Sequence, residues 1–351
     1  MGNIRRGLLV ALSLLALTVL SVWYFYQRVQ NQAERRYLYG MDTLIEIVLY
    51  GPHGAEAVDR MEARLREWEA NTSMYQASGD VGRLNHNAGE EEPVSLGEDV
   101  FYLLERTKEL SLASEGIFDP TIAPLTLLWN VRDPDAHVPS AEEIGAARAL
   151  VDVTDLWLDP ATFSAKLMRP GQAVDLGGIA KGAASVIAFE VMEEYGIQNG
   201  YVSLGGNLAV KGRHPDGSDF VFGIRNPWGE EAEFFATLSI PGRTMATAGD
   251  YIRYFEEGDT RYAHLLDPRT GYPAESELTS VSVISADGAF ADFLSTTLFI
   301  AGKEKALSLL NEEAFEVVAV DREKNVYASA SLEGKLLPNP DEPDFQFYFL
   351  R

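Results

Sequence analysis

Residues 173–212 read AVDLGGIAKGAASVIAFEVMEEYGIQNGYVSLGGNLAVKG, and the pattern of this stretch decides the fold class. It predicts a short strand ending at 175–176, a glycine turn at 177–178, and a helix over 179–196. The glycine that ends the helix favours a left-handed cap. A second strand over 201–204 then runs into another glycine pair. Alternation of strands and helices at this spacing indicates an α/β protein.

The glycine turn in this stretch suits phosphate binding. Glycines between a strand and a helix let the backbone approach a ligand, and the free N–H groups of a helix start attract anions. Lys181 lies on the first helical turn and adds a positive charge at the same place. The stretch is not a Walker loop, because Ala183 follows Gly182, and it does not fit G-x-G-x-x-G. A glycine-rich turn that only packs helix on strand is the alternative interpretation.

Composition limits the classes of partner. The chain has 351 residues, 46% of them hydrophobic, and a net charge of −24. Five arginines and one glutamate give the first 36 residues +4, so the remainder carries −28. Such a field repels nucleic acid, and an anionic ligand needs local donors or a metal, although solubility alone also explains the acidity. Cysteine is absent, which excludes disulfides, thiolate metal sites and a lipid-modified cysteine.

The amino terminus carries an uncharged run over residues 7–26. A run of about 20 apolar residues is long enough to cross a bilayer as a helix, and its four closing aromatics suit the interface. We therefore predict a transmembrane signal-anchor over 7–27, after a short cytoplasmic terminus at 1–6. Residues 28–37 form a linker, and residues 38–351 form one extracytoplasmic domain without an internal boundary. A cleaved signal peptide is the alternative.

The rest of the chain continues the mixed pattern. Helices are predicted from amphipathic periodicity and capping boxes at 56–70, 95–113, 140–150 and 288–301. Strands are predicted at 42–50, 220–225, 234–240, 244–255 and 278–285, with a closing hairpin after residue 315. A polar loop is predicted over 71–87, and another loop over 261–273.

Oxygen ligands for a cation are present in the helix over 288–301. Asp292 and Thr296 are four residues apart, so they share a helix face, and Ser295 lies beside them. One carboxylate and one hydroxyl suit Mg²⁺, which keeps the rest of its octahedron for water or phosphate. Alternatively, the Asp merely starts the helix and the Thr bonds its own backbone.

His264 lies in the loop HLLDPRTGYP near Asp267. A histidine accepts a proton near neutral pH, and a neighbouring carboxylate can orient it, although Asp-Pro-x-Thr-Gly is also an ordinary turn. Asp250 follows a predicted strand, where a structural turn is the default interpretation. Three aromatics near these loops either stack on a planar ring or pack in the core: Tyr75, Phe118 and Trp129.

Taken together, seven stretches resemble the ApbE family of FAD:protein FMN transferases. They are MDTLIEI, SMYQASGDVGRLN, GIFDPTIAPLTLLW, VDLGGIAKG with YVSLGGNLAVKG, ATAGDY, HLLDPRTGYP and ADFLSTTLFIAG, in this order. The resemblance implies an ApbE-like fold of mixed sheets flanked by helices. It also implies transfer of the FMN moiety of FAD, with Mg²⁺, onto a Thr or Ser hydroxyl of a target protein, with release of AMP.

The resemblance also implies roles for individual residues. Matching positions imply that FAD contacts Met41, Tyr75, Phe118, Asp119, Pro120, Asp175, Lys181 and Leu265. The metal ligands implied are the Gly178 carbonyl, Asp292 and Thr296, with Ser295 adjacent. The catalytic residues implied are His264 as the base, with Lys181 and Asp250 assisting.

The implied partner is a membrane or extracytoplasmic redox protein with a motif similar to D-x-x-[ST]-G-A-[ST]. Neither Ser-Gly-Ala nor Thr-Gly-Ala occurs in this sequence, so we expect modification of another protein. The helix over 7–27 would hold the enzyme beside such targets. Two other functions remain open: hydrolysis of FAD to FMN and AMP, in which water replaces the target hydroxyl, and flavin binding without catalysis.

Overall fold

The computed structural model describes residues 2–230, 232–258 and 260–350, without the side chains of residues 2–5, 7, 10, 26–28 and 30. Its helices are α1 Gly2–Gln30, α2 Gly54–Thr72, α3 Asp80–His86, α4 Glu98–Ala113, α5 Ala123–Trp129, α6 Ala141–Arg148, α7 Ala180–Ala183, α8 Ser185–Glu194, α9 Gly288–Ala301 and α10 Lys303–Ser308. Its strands are β1 Ala33–Gly40, β2 Thr43–Tyr50, β3 Val94–Ser95, β4 Leu156–Asp159, β5 Ser164–Leu167, β6 Asn199–Leu204, β7 Asn207–Lys211, β8 Val221–Arg225, β9 Phe234–Ser239, β10 Thr244–Gly249, β11 Tyr254–Glu257, β12 Thr260–Ala263, β13 Leu278–Ser285, β14 Phe315–Asp321, β15 Asn325–Ser329, β16 Leu336–Pro338 and β17 Gln346–Leu350.

A nine-stranded sheet runs through the molecule in the order β1-β2-β6-β7-β10-β13-β14-β15-β17. Neighbouring strands are antiparallel, except for the parallel pair β15 and β17. Both faces of the sheet are covered. On β14, Val317 and Ala319 belong to the core under the helices, whereas Val318 and Val320 face the small sheet β16-β9-β8. The two-residue period of a strand produces this division.

Helix α9 lies on the helical side of the sheet and packs against the short helix α7. A side chain at Gly182 of α7 would place its Cβ 2.5 Å from Asp292 Cβ and 2.0 Å from the Gly288 carbonyl oxygen. Only glycine permits that approach. The glycine-rich stretch therefore brings the start of α7 against the predicted ligand face of α9.

Several predicted elements are confirmed. Helix α9 and strand β13 have the predicted bounds, and the Ser140–Glu143 capping box begins α6. Gly196 has a φ of +67° after the helical stretch, which is broken into α7 and α8 at Ala184.

Other predicted elements are wrong. Residues 173–176 form no strand, because the backbone of Val174 bonds the side chain of Asn85 in both directions. Gly97, not Ser95, caps α4, since Ser95 pairs in β3. The predicted loop over 71–87 contains α3, and the predicted strand over 244–255 is divided into β10 and β11.

The amino-terminal region differs from its prediction in two respects. Residues 33–37 belong to β1, which pairs with β2, so the sheet begins inside the predicted linker over 28–37. Among the described residues, no helix combines the length and the apolar character that crossing a membrane requires. Parts of the predicted span over 7–27, at residues 7, 10, 26 and 27, lie outside the described side chains. The anchor therefore stays a prediction.

Candidate active site

A cleft of about 310 Å³ opens on the helical side of the sheet, beside α9. Eleven of the predicted site residues line it: Met41, Tyr75, Phe118, Asp119, Asp175, Gly178, Lys181, His264, Leu265, Asp292 and Thr296. Pro120, Asp250 and Ser295 are not part of its lining. The fold thus brings together residues from distant stretches, as a binding site requires.

The glycine turn of the cleft is shaped by Asp175. Its Oδ1 accepts a hydrogen bond from Gly177 N at 2.8 Å, and its Oδ2 accepts one from Thr126 Oγ1 at 3.0 Å. Lys181 Nζ donates to the Gly177 carbonyl oxygen at 2.9 Å, which holds the ammonium group over the turn. The turn therefore presents backbone and a positive charge to the cleft.

The face of α9 in the cleft carries oxygens that the protein leaves available. Asp292 Oδ2 accepts from Gly182 N at 2.8 Å, whereas Oδ1 has no hydrogen bond within the described residues. The Thr296 hydroxyl also has none there, although Thr297 bonds the Phe293 carbonyl oxygen one turn back. The alternative interpretation, in which Thr296 bonds its own helix, does not hold.

Gly178 closes this face from the opposite side. A Cβ built on Gly178 would lie 3.5 Å from Thr296 Oγ1 and 2.8 Å from Phe118 Cε2, so the turn and the helix are in close approach. A carboxylate, a hydroxyl and a nearby backbone carbonyl form a hard oxygen donor set that fits Mg²⁺. No group of three or more His, Asp or Glu side chains that could hold a metal occurs in the described part of the chain.

Ser295 does not share the character of its neighbours. Its hydroxyl is fully buried and donates to the Asp292 carbonyl oxygen of its own helix at 3.0 Å. Ser295 is also absent from the cleft lining, so its side chain gives no support to a place beside the metal ligands, and that assignment stays a prediction.

His264 is oriented by a backbone carbonyl. Its Nδ1 lies 3.2 Å from the Arg253 carbonyl oxygen, and a carbonyl only accepts, so Nδ1 carries the proton and Nε2 the lone pair. Asp267, the expected partner, is engaged by Arg269 instead. Burial, with the positive charges of Arg253, Lys181 and Arg132, lowers the pKa of His264 to about 3. The imidazole is therefore neutral at physiological pH and presents a base.

The turn between β1 and β2 forms another wall of the cleft. Met41 and Asp42 have φ values of +48° and +58°, as in a two-residue hairpin turn that normally uses glycine or asparagine. Glu69 Oε1 accepts from Met41 N at 2.7 Å, Arg132 pairs with the Asp42 carboxylate, and Arg253 Nη2 donates to the Asp42 carbonyl oxygen at 3.0 Å. Arg253 therefore contacts both the turn and His264.

Two predicted carboxylates are engaged by the protein itself. Asp119 accepts from Thr121 N, Thr121 Oγ1 and Val153 N, at 2.6–3.0 Å, and burial raises its pKa. Asp250 lies outside the cleft lining, and its Oδ2 accepts from Arg322 Nη2 at 2.9 Å. These contacts give both residues a structural task, and a direct catalytic role for Asp250 stays a prediction.

The predicted aromatic and apolar contacts divide in the same way. Tyr75 is 62% exposed at the cleft, as a ring that stacks on a ligand would be. Phe118 and Leu265 are buried in the cleft wall. Trp129 is a buried core residue, and its indole N–H donates to the Gly271 carbonyl oxygen. Pro120 acts through its carbonyl oxygen, which accepts from Asp175 N.

Comparison with known proteins decides the family. The ApbE family model matches residues 41–319. The chain belongs to the ApbE family. An FAD:protein FMN transferase of Klebsiella pneumoniae (strain 342) is 32% identical over 291 residues, covering 83% of this chain and 90% of the relative. A second, from Haemophilus influenzae, is 32% identical over 280 residues, covering 78% of this chain and 80% of the relative.

Solved structures of ApbE proteins share the fold. Flavin Transferase ApbE from Vibrio cholerae has a TM-score of 0.76 at 26% identity, covering 87% of this chain and 100% of that one. The apo form of Pseudomonas stutzeri flavinyl transferase ApbE has a TM-score of 0.72 at 32% identity, covering 84% and 92%. This ApbE-family chain is therefore a transferase that moves FMN from FAD to a target protein.

Among the cleft residues that sequence reasoning missed are four with polar or charged side chains: Glu69, Arg132, Asn207 and Arg253. Two are cations in a strongly acidic chain, which is a weak signal that an anion binds nearby. Asn207 directly follows the second glycine pair, a position where backbone approaches a ligand. Glu69 ends an amphipathic helix and gives no signal in the sequence.

Proposed function

We propose that this enzyme uses Mg²⁺ and a single cleft to attach FMN, through its phosphate, to a Thr or Ser hydroxyl of the target protein. The observation that supports this most directly is the pair of oxygens Asp292 Oδ1 and Thr296 Oγ1, the second of them beside Gly178, which have no hydrogen bond within the described residues. Residues 37–351 carry a charge of −28, so an anionic dinucleotide needs a local positive charge. A metal ion held by these oxygens would supply it.

The transfer step requires one bond to form and one to break. The hydroxyl oxygen of the target attacks the phosphorus of the FMN half, and the bond from that phosphorus to the bridging oxygen breaks, so that AMP leaves. His264 Nε2 takes the hydroxyl proton, because its lone pair is free and its Nδ1–H is held by Arg253. Lys181 lies over the glycine turn and stabilises phosphoryl charge.

Asp292, Thr296 and the Gly178 carbonyl would hold the metal ion. Bound there, Mg²⁺ would neutralise charge on the pyrophosphate and stabilise the leaving phosphate. Tyr75 offers an exposed ring for stacking, and Phe118 packs edge-on against Phe293 at a centroid distance of 5.1 Å. These residues position the dinucleotide against the base.

The test incubates the full chain with FAD, Mg²⁺ and a target domain that carries D-x-x-[ST]-G-A-[ST]. We expect flavin fluorescence to remain on the target after denaturing electrophoresis, and none on a target whose acceptor hydroxyl residue is replaced by alanine. Release of FMN and AMP into solution without a labelled target would support hydrolysis instead. Recovery of intact FAD would support binding without catalysis.

The membrane location belongs to the same proposal. Apolar side chains of α1, among them Leu8, Leu15, Leu20 and Trp23, are more than half exposed and have no core to pack against in the described residues. We propose that this helix anchors the domain on the extracytoplasmic side, near membrane-bound redox targets. Carbonate extraction of membranes tests it: the full chain should stay in the pellet, and its appearance in the supernatant would contradict the anchor.

A further inference from the structure

Asn207 stands at the start of β7, after the Gly205–Gly206 turn, and is only 5% exposed. Its Oδ1 accepts from Thr247 N at 3.4 Å. A backbone N–H needs an acceptor, so this contact fixes the amide with its oxygen towards β10 and its Nδ2 away from it. Nδ2 has no hydrogen-bond partner among the described residues, and Asn207 lines the cleft.

An unpaired buried donor is rare and carries a desolvation cost, so it requires an explanation. Five buried side-chain atoms lack a hydrogen bond in the described residues: Asn207 Nδ2, Asp219 Oδ1, Arg225 Nε, Ser239 Oγ and Glu316 Oε2. The two carboxylate oxygens are in ion pairs with arginines. Of the five residues, Asn207 alone lines the cleft. Its amide is therefore placed to meet a ligand.

The surroundings of Asn207 indicate which atoms it can meet. Thr247 and Gly205 line the cleft beside it, and Lys181 and Gly182 share a small cavity of about 10 Å³ with it. That volume is at the lower limit for a single water. The amide therefore lies between the wall formed by the β1–β2 turn and the segment around Lys181, which follows the glycine turn.

We propose that Asn207 Nδ2 donates a hydrogen bond to an acceptor oxygen of bound FAD, either a flavin carbonyl or a phosphoryl oxygen. This inference rests on the transfer of FMN from FAD. A buried donor discriminates against a ligand that has no acceptor at that point, because the donor then stays unpaired. Asn207 is thus a substrate-selecting residue of the cleft.

Two variants of the full chain test it. Asn207→Leu removes the amide at similar volume, and Asn207→Asp keeps an oxygen for Thr247 N but removes the donor. Both should raise the KM for FAD about 3- to 10-fold, the loss expected for one neutral hydrogen bond, with a smaller change in kcat. Ser239→Ala is the matched control, because it removes another unpaired buried polar atom outside the cleft. Its KM should equal that of the wild type.

Competition against FAD distinguishes the two acceptors. ADP carries the phosphates without the flavin, and riboflavin carries the flavin without phosphates. Weaker competition by ADP in the uncharged Asn207→Leu assigns a phosphoryl oxygen, and weaker competition by riboflavin in the same variant assigns a flavin carbonyl. An unchanged KM in both variants, with thermal midpoints near that of the wild type, would overturn the inference and leave FMN transfer intact. Failure of the wild type to bind FAD would instead overturn the function itself.

Discussion

Asp292 on α9 and Asp119 in the segment 118–121 are two carboxylates that line the same cleft, yet the protein uses them differently. Asp119 meets three protein donors with its two oxygens. Among the described residues, Asp292 accepts from one protein donor, at Oδ2, and its Oδ1 has no hydrogen bond although the residue lines the cleft. The first carboxylate holds the cleft wall, whereas the second is available to a ligand.

The hydrogen bonds of each polar side chain thus distinguish a structural residue from a ligand-binding one, which its position in a motif does not. The same separation appears between adjacent hydroxyls on α9, since Ser295 and Thr297 bond helix carbonyls and Thr296 does not. Polar groups in a folded protein normally have hydrogen-bond partners, so a polar group without a protein partner at a cleft indicates a contact with the ligand.

Replacing the two carboxylates should produce the largest differences, in transfer for Asp292 and in stability for Asp119. Asp292→Asn keeps an oxygen for Gly182 N but removes the charge, so FMN transfer should fall at least about 100-fold while the fold persists. Asp119→Asn places an amide N–H₂ against protein donors, so it should lower the free energy of unfolding by about 1–3 kcal/mol. Transfer rates and chemical denaturation of both variants check this. A large loss of stability in Asp292→Asn with unchanged transfer would reverse the assignment.

The next largest effect is expected from replacing the catalytic base, His264. His264→Gln should lower kcat about 10²- to 10³-fold, because proton removal from the acceptor hydroxyl is lost. His214→Gln is the control, since His214 lies outside the cleft lining and contacts Tyr50. Single-turnover transfer with saturating FAD measures the chemical step. Equal rates in the two variants would show that another group takes the proton.

The neighbouring hydroxyls of α9 should differ in their effect on the Mg²⁺ requirement. Thr296→Val should raise the Mg²⁺ concentration for half-maximal transfer about 10-fold, because one oxygen of the donor set is lost. Thr297→Val removes a hydroxyl that bonds the Phe293 carbonyl oxygen, and the Mg²⁺ requirement should stay that of the wild type. Equal Mg²⁺ dependence of the two variants would remove Thr296 from the metal site.

The smallest effect concerns pH. The pKa of His264 is lowered from 6.5 to about 3 by burial and neighbouring positive charges. Between these values the unfolded chain binds a proton that the folded chain does not, so the free energy of unfolding falls as pH falls through this window. His264→Gln should lose that part of the slope. The profile of kcat/KM should show no acid limb near 6.5 from this residue, and a limb there that disappears in His264→Gln would contradict the lowered pKa.

Local patterns predicted part of this molecule. The bounds of α9 follow from its apolar run, from Asp287 as N-cap and from Gly302 at its end, all of which are local signals. The spacing of Asp292 and Thr296 placed both residues on one face. Residues 173–176 were predicted as a strand because the apolar pattern does not reveal that Asn85 engages their backbone.

The rest of the site depends on tertiary structure. Arg132 and Arg253 meet at Asp42 only because the fold brings three distant loops together. No spacing in the sequence reports that contact. The i, i+4 relation also does not say whether a hydroxyl turns back to its helix, since that choice depends on what lies opposite, here Gly178.

The most direct test of the central claim is calorimetric titration of Mg²⁺ into the full chain in the presence of ADP. We predict one strong site in the wild type and in Asp119→Asn, and at least about 10-fold weaker binding in Asp292→Asn. Equal Mg²⁺ affinity in the wild type and Asp292→Asn would contradict the assignment of the metal to the face between Gly178 and α9.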